Sequence, residues 1–403
     1  MGKVDYRINN NIGVSPVVLN VVASNNLKQT WQVKMFCPIL NILLFFGLET
    51  YHIHEDRRTK ILGYLCIRMF YVASAAFAMT GILLVDEILK GISLYSLSTT
   101  VILVIGFVFR WALQLKGKAI FGLLCAICDF KGVTPKKLVT TRRRLLIISV
   151  LVVVFEGLVL VFLLQKMVES LINSEMNAFD VSKRYSVIFK NAHLGILARL
   201  WILSIALIYV HNVIPFCLFG ILYAAISWRL RAILKSFKNR LLKSSGPKIS
   251  ECSETYNRIC SLVNYTDKTL NSLMFISVFF MSCILYFTVF NMLLPSGDGY
   301  VVTPNRIISL LNLIFMVIYL YGMLYFASEI PNVVADISDV IHSMVVDKES
   351  VGQKVELLLR VHQGLFLSVG QMVIIRKGLF LVLIGTIATY CLLINSFPLK
   401  PAN

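Results

Sequence analysis

Two charged residues within long apolar stretches are the first candidates for binding a ligand or an ion. Glu156 lies near the middle of one apolar stretch, and Arg199 lies near the start of the next. A charge at the centre of a bilayer costs about 2.5–3.5 kcal/mol on insertion scales, so it is usually paired or faces a polar cavity. Glu156 and Arg199 are therefore predicted either to line a polar cavity among helices or to form a structural ion pair. Arg110, near the end of an earlier apolar stretch, is instead predicted to extend its guanidinium to the membrane surface.

Aromatic side chains suited to a small organic ligand occur at similar predicted depths. Their ring faces can stack on an amphipathic or cationic compound. Ordinary packing explains each of them taken singly, so they are predicted only as a set. The predicted ligand pocket consists of Glu156, Arg199, Trp201, Tyr286, Phe290 and Phe315.

No arrangement of residues supports catalysis or a bound cofactor. His52 and His54 precede Glu55-Asp56 in a short polar loop, but no further His or Cys stands at metal-ligand spacing. Cys125 and Cys128 form a CxxC without the second pair that a zinc ribbon needs. The HExxH, GxSxG and glycine-rich phosphate-binding patterns are absent from the sequence. The chain is therefore predicted to be neither an enzyme nor a metalloprotein.

The last apolar stretch, residues 377–397, is predicted to cross a membrane by itself. It carries no charge after its first residue, and about 20 helical residues span roughly 30 Å, the thickness of the hydrocarbon core. Gly385, Thr389, Leu392 and Ser396 recur at steps of four, three and four, which places them on one helix face. A small and weakly polar face on a spanning helix is expected to meet protein or water rather than lipid.

Composition places this stretch in a protein that crosses the membrane several times. The 403 residues are 57% hydrophobic and only 15% charged, with a mean hydropathy of +0.77. The net charge of +18 is therefore interpreted as membrane topology rather than as nucleic-acid binding. The fold class predicted is all-α with seven transmembrane helices, at about 61–85, 94–114, 145–168, 194–226, 269–294, 306–328 and 377–397.

The distribution of Lys and Arg predicts the orientation. With the N-terminus inside, the cytoplasmic segments hold 29 of these residues and the outer segments hold 5. The N-terminus is thus predicted to be cytoplasmic and the C-terminus extracellular, which is opposite to G-protein-coupled receptors. Residues 1–32 are polar and predicted to be a flexible cytoplasmic segment, and residues 33–403 are predicted to form one domain.

Two segments predict helices outside the membrane on the cytoplasmic side. After residue 226 the fourth span continues with apolar residues at helical spacing, so a long helix is expected to leave the membrane there. Before the last span, an amphipathic stripe predicts a second helix that seeks a partner, and its members are Leu358, Val361, Leu365, Val369 and Met372.

The end of the last stretch carries a resemblance. Thr389-Tyr390, five mostly apolar residues and then Ser396-Phe397 resemble the Thr-Tyr-(five hydrophobics)-Gln-Phe signature in the last helix of insect gustatory receptors. Ser396 replaces the Gln of that signature, and polar Asn395 takes a hydrophobic position. The cytoplasmic N-terminus predicted from charge is also the topology of insect gustatory and odorant receptors.

The resemblance implies a ligand-gated, non-selective cation channel in which four subunits, identical or different, place their last helices around a pore. Thr389, Leu392, Leu393, Ser396 and Phe397 would then line or gate that pore. Apolar rings at Leu393 and Phe397 would close it by dewetting, and Ser396 hydroxyls would contact a hydrated ion.

The resemblance further implies a ligand pocket in the outer half of each subunit and an intracellular anchor domain where subunits meet. It implies the plasma membrane of gustatory neurons, at the dendrite. Sugar receptors tend to have an acidic residue after Thr-Tyr, and here it is Cys391, which favours a bitter or aversive tastant. The alternatives are a secondary transporter, because intramembrane Glu and Arg also suit a coupled carrier, and a G-protein-coupled type of receptor.

Overall fold

The structure is a computed structural model, and it describes residues 36, 39, 94–130, 143–159, 161, 165, 194–243, 249–293, 304–344 and 351–396. The predicted flexible segment 1–32 and the predicted span 61–85 lie outside the described residues. The described elements, in chain order, are α1 (Leu94–Asp129), α2 (143–159), α3 (Leu194–Lys243), α4 (Ile249–Leu293), α5 (Pro304–Ser343), α6 (Val351–His362), β1 (Ser368–Val369), β2 (Val373–Ile374) and α7 (Lys377–Ser396).

The described helices confirm an all-α membrane fold. Within α1, α3, α4 and α5, the segments Val104–Cys128, Val213–Lys243, Ile249–Val289 and Ser309–Ser343 are long and apolar enough to cross a membrane. Helix α3 has 50 residues and α4 has 45, so at 1.5 Å per residue they measure about 75 and 68 Å, more than twice a hydrocarbon core. These helices therefore project well beyond a bilayer, as predicted for α3.

The projecting parts of α3 and α5 form a parallel helix pair. A series of buried residues in α3 steps by four, three and four, and a series in α5 does the same, which is the spacing of two helices packed along one seam. The members are Leu230, Leu234, Phe237 and Leu241 in α3, and Ile330, Val334, Ile337 and Ile341 in α5. Two ion pairs seven residues apart, Arg231–Glu329 and Lys238–Asp336, flank this seam.

The amphipathic stripe before the last helix is not one helix, and that prediction is wrong beyond residue 362. Helix α6 ends at His362, and Gly364 follows with a φ of +72°, a left-handed conformation that favours glycine and ends helices. Leu365 and Val369 are buried because they belong to an extended segment that leads into a hairpin, in which Val369 pairs with Val373. Leu367, Ser368 and Val369 are buried in succession there, so burial follows no helical period.

Candidate functional site

Helix α7 has one packed face and one uncovered face. The packed face lies against α4 and α5, where the Phe380 ring meets Tyr321 at 5.3 Å and the Cys391 thiol donates to the Tyr286 carbonyl at 3.8 Å. Opposite this face, large apolar side chains such as Leu381 (71% exposed) and Leu392 (64% exposed) are left uncovered by the described residues. Within the described part of the chain, this apolar helix is thus covered on one side only.

The residues predicted to line a pore fall mainly on the uncovered face. Thr389, Leu392 and Leu393 are all exposed, and so is Tyr390 of the terminal signature. The Thr389 hydroxyl donates to the Gly385 carbonyl at 2.8 Å, and its oxygen can still accept a hydrogen bond. Ser396 is the last residue of α7, and the structure describes its backbone alone. Phe397 lies outside the described residues.

The first residue of α7 belongs to a cluster of three charges, which we call the base triad. Glu329 of α5 contacts Arg231 of α3 through Oε2 at 2.9 Å and Lys377 of α7 through Oε1 at 2.9 Å. One carboxylate therefore connects three helices at the point where α7 begins. Sequence reasoning missed this cluster, although an acidic residue directly after the predicted span 306–328 is a usable signal.

The hairpin that leads into α7 is fixed to α4. The Asp267 carboxylate accepts hydrogen bonds from the Ser368 amide at 2.6 Å and from the Ser368 hydroxyl at 2.9 Å. The Gly370 amide donates to the Asn271 carbonyl at 3.1 Å, with the Phe275 side chain directly against it. These contacts set the position from which α7 starts.

The interior of the bundle contains a buried carboxylate, that of Glu156. The Cys217 thiol of α3 donates to Glu156 Oε1 at 3.4 Å, and Glu156 is only 1% exposed. Its neighbour in sequence, Phe155, stacks on Phe315 of α5 with ring centroids 4.5 Å apart. Two members of the predicted pocket, Glu156 and Phe315, are thereby brought to one level of the bundle.

Tyr319, one turn after Phe315, completes the contact between α5 and α3. Its hydroxyl donates to the Phe216 carbonyl at 2.7 Å, and its ring lies directly over Gly220. Sequence reasoning missed Tyr319 and Cys217 because a residue's partner on a distant helix leaves no mark in local spacing.

The other predicted pocket residues lie elsewhere. Arg199 and Trp201 precede Cys217 on α3 by 18 and 16 residues, which is about 27 and 24 Å along the helix, and their side chains lie outside the described residues. Tyr286 lies beside α7 rather than beside α2. Phe290 is one turn further along α4, and its side chain lies outside the described residues. The members of the predicted set therefore lie in separate regions along the helices, and the Glu156–Arg199 ion pair stays a prediction.

The prediction for Arg110 is also wrong. Its side chain is 1% exposed, so the guanidinium is enclosed by the helix bundle instead of extending to a membrane surface. Phe109, the residue before it, packs edge-on against Phe216 at 5.1 Å, which turns this part of α1 towards α3. Among the described residues, no three His, Cys, Asp or Glu side chains are grouped so that they could hold a metal ion.

Comparison with known proteins gives a match in structure alone. No family model and no curated protein matches the sequence. The insect olfactory receptor OR5 from Machilis hrabei matches with a TM-score of 0.57 at 12% identity, over 90% of this chain and 97% of OR5. OR5 in complex with eugenol matches with a TM-score of 0.53 at 13% identity, over the same shares of the two chains. The chain therefore has the helical membrane fold of an insect olfactory receptor.

Proposed function

We propose that this chain is a subunit of a ligand-gated, non-selective cation channel, with α7 lining the pore. The observation that carries the proposal is the uncovered face of α7. An apolar helix packed against its own subunit on one side presents Thr389, Leu392 and Leu393 on the other. The fold shared with an insect olfactory receptor supports a chemoreceptor of this general design.

The pore mechanism follows from placing several copies of α7 around an axis. Four copies would bring the Leu393 side chains together into an apolar ring that excludes water and blocks ions. Opening widens this ring, and the Thr389 oxygens then offer acceptors to a hydrated cation. Ser396 and Phe397 extend this proposed lining toward the chain end.

The ligand proposed is a small organic compound bound within each subunit. The buried Glu156 carboxylate and the Phe155–Phe315 stack provide a negative charge beside aromatic faces, which suits an amphipathic or cationic molecule. A solved structure with this fold is of OR5 in complex with eugenol, a small aromatic compound. Residues near Tyr286 and Phe290 would belong to a separate region beside the pore helix.

The finer assignment is to a gustatory receptor for a bitter or aversive tastant. The Thr389-Tyr390 and Ser396-Phe397 signature supports gustatory over olfactory, and Cys391 supports bitter over sugar. The proposed setting is a homo- or hetero-tetramer in the dendrite plasma membrane of gustatory neurons, with the N-terminus cytoplasmic.

The test combines currents with thiol accessibility. The chain is expressed alone and with other gustatory receptor subunits, and currents are recorded during application of a tastant panel. Leu393→Cys is treated from outside with a water-soluble thiol reagent, and Ile387→Cys on the packed face of α7 is the matched control. We expect ligand-dependent current that the reagent alters in Leu393→Cys and leaves unchanged in Ile387→Cys and in the unsubstituted chain.

Two results would overturn the proposal. A tag fused after Asn403 that is found in the cytosol would place α7 in the wrong orientation. Current of the small size expected when each cycle moves only a few ions would instead favour the coupled carrier, for which the buried Glu156 is also suited.

A further inference from the structure

The base triad is built so that one of its two contacts is protected and the other can be released. The Arg231 and Glu329 side chains are 22% and 12% exposed, whereas the Lys377 side chain is 63% exposed. Exposed Lys–carboxylate pairs contribute little and exchange readily with water, because a flexible side chain must be held in one geometry. The Glu329 carboxylate is thus held to α3, and its contact with α7 is reversible.

Lys377 has a second reason to depend on Glu329. It is the first residue of α7, and the positive end of the helix dipole disfavours a cation there. The first turn of α7 contains no acidic residue to offset that cost. Glu329 supplies the missing negative charge from a neighbouring helix.

Glu329 also lies on the helix that reaches the Glu156 region. Tyr319 and Glu329 are ten residues apart on α5, about 15 Å along the helix, and α5 contacts α2 and α3 at Phe315 and Tyr319. Pro331 lies two residues after Glu329 within α5, and proline in a helix interior removes a backbone hydrogen bond and allows a bend. A movement of α5 near Tyr319 would therefore displace Glu329 relative to the residues of α5 that follow Pro331.

We infer that Glu329 is a positioning residue that holds the base of α7 to the α3–α5 pair in the resting state, so that loss of its contact with Lys377 favours the open pore. This inference rests on the proposed channel function. The base triad then transmits movements of α5 inside the subunit to the pore helix α7.

The test uses the purified full chain in liposomes with two measurements. Cation flux is measured without ligand, and amide hydrogen exchange is measured in residues 377–384. The variants are Glu329→Gln, Lys377→Gln and the two combined. Asp336→Asn is the matched control, because Asp336 pairs with Lys238 across the same two helices at 2.8 Å and does not touch α7.

We expect Glu329→Gln and Lys377→Gln each to raise flux about two- to fivefold, the range that a partly exposed ion pair supplies. Each should also raise exchange in residues 377–384. The combined variant should do no more than either single variant, and Asp336→Asn should match the unsubstituted chain. Single variants that match Asp336→Asn in both measurements, or effects that simply add in the combined variant, would overturn the inference.

Failure of the channel proposal would look different. It would show as absence of flux in every variant, including the unsubstituted chain with eugenol added as a probe. Amide exchange would then still decide the structural link, since raised exchange in both single variants supports it and unchanged exchange overturns it.

Discussion

Gly220→Ala is the substitution whose effect the structure specifies most closely. A Cβ atom at position 220 would lie 2.8 Å from Cε2 of Tyr319 and closer still to its Cζ and Oη atoms. Ordinary contacts between carbon atoms are about 3.5–4.0 Å, so the ring must move by more than half an ångström. That movement also breaks or weakens the 2.7 Å hydrogen bond from Tyr319 to the Phe216 carbonyl.

The expected cost follows from these contacts. Overpacking of a close-packed interior costs about 1–3 kcal/mol. Loss of the hydrogen bond adds about 1 kcal/mol. Replacing glycine by alanine within a helix returns about 0.5–1 kcal/mol of backbone entropy. The net expectation is that Gly220→Ala lowers the free energy of unfolding by about 1–3 kcal/mol.

The assay is thermal unfolding of the detergent-solubilised chain, compared with Gly322→Ala as the matched control. Gly322 lies in the same helix as Tyr319, and a Cβ atom there would meet nothing within 4 Å. We expect a lower midpoint for Gly220→Ala and an unchanged or higher midpoint for Gly322→Ala. In a Tyr319→Ala background, Gly220→Ala should cost nothing further. Equal midpoints for the two glycine variants would refute the close approach of α5 to α3.

Two further predictions concern the hairpin before α7. Asp267→Asn removes the charge that accepts the hydrogen bonds of the Ser368 amide and hydroxyl, so amide exchange in residues 366–376 should rise, reflecting a loss of about 1.5–3 kcal/mol; unchanged exchange would contradict this role. Gly370→Ala should destabilise the chain more than Gly364→Ala in thermal unfolding. Both glycines have left-handed φ angles, which cost a residue with a Cβ about 1–2 kcal/mol, but only at position 370 does the new atom press on Phe275, at 3.1 Å. Equal unfolding midpoints for the two variants would show that the Phe275 side chain moves aside at no cost in stability.

Helix type was predictable where one chemical requirement acts on a whole segment. Uninterrupted apolar stretches predict spanning helices, because lipid offers no partner to backbone amides. The continuation of α3 was also predictable, because Leu230, Leu234, Phe237 and Leu241 keep a helical period past the apolar stretch. The uncovered face of α7 follows the same logic, since small and polar residues recur on one side.

The hairpin was not predictable from spacing alone. Leu365 and Val369 continue the steps of the α6 stripe by coincidence, and a step of four is compatible with both helical and strand periods. The left-handed Gly364 decides between them, and its conformation depends on the packing of the extended segment against α4.

By itself the sequence determined a basic, polytopic helical membrane protein whose last helix carries a weakly polar face. Each of these properties follows from the charge, hydropathy or spacing of neighbouring residues within one segment. Only the tertiary structure decided that Glu156 meets Cys217, that Arg110 is enclosed, and that Glu329 joins α7 to two other helices. Such pairings depend on the relative depth and rotation of separate helices, and no local pattern in the chain encodes either quantity.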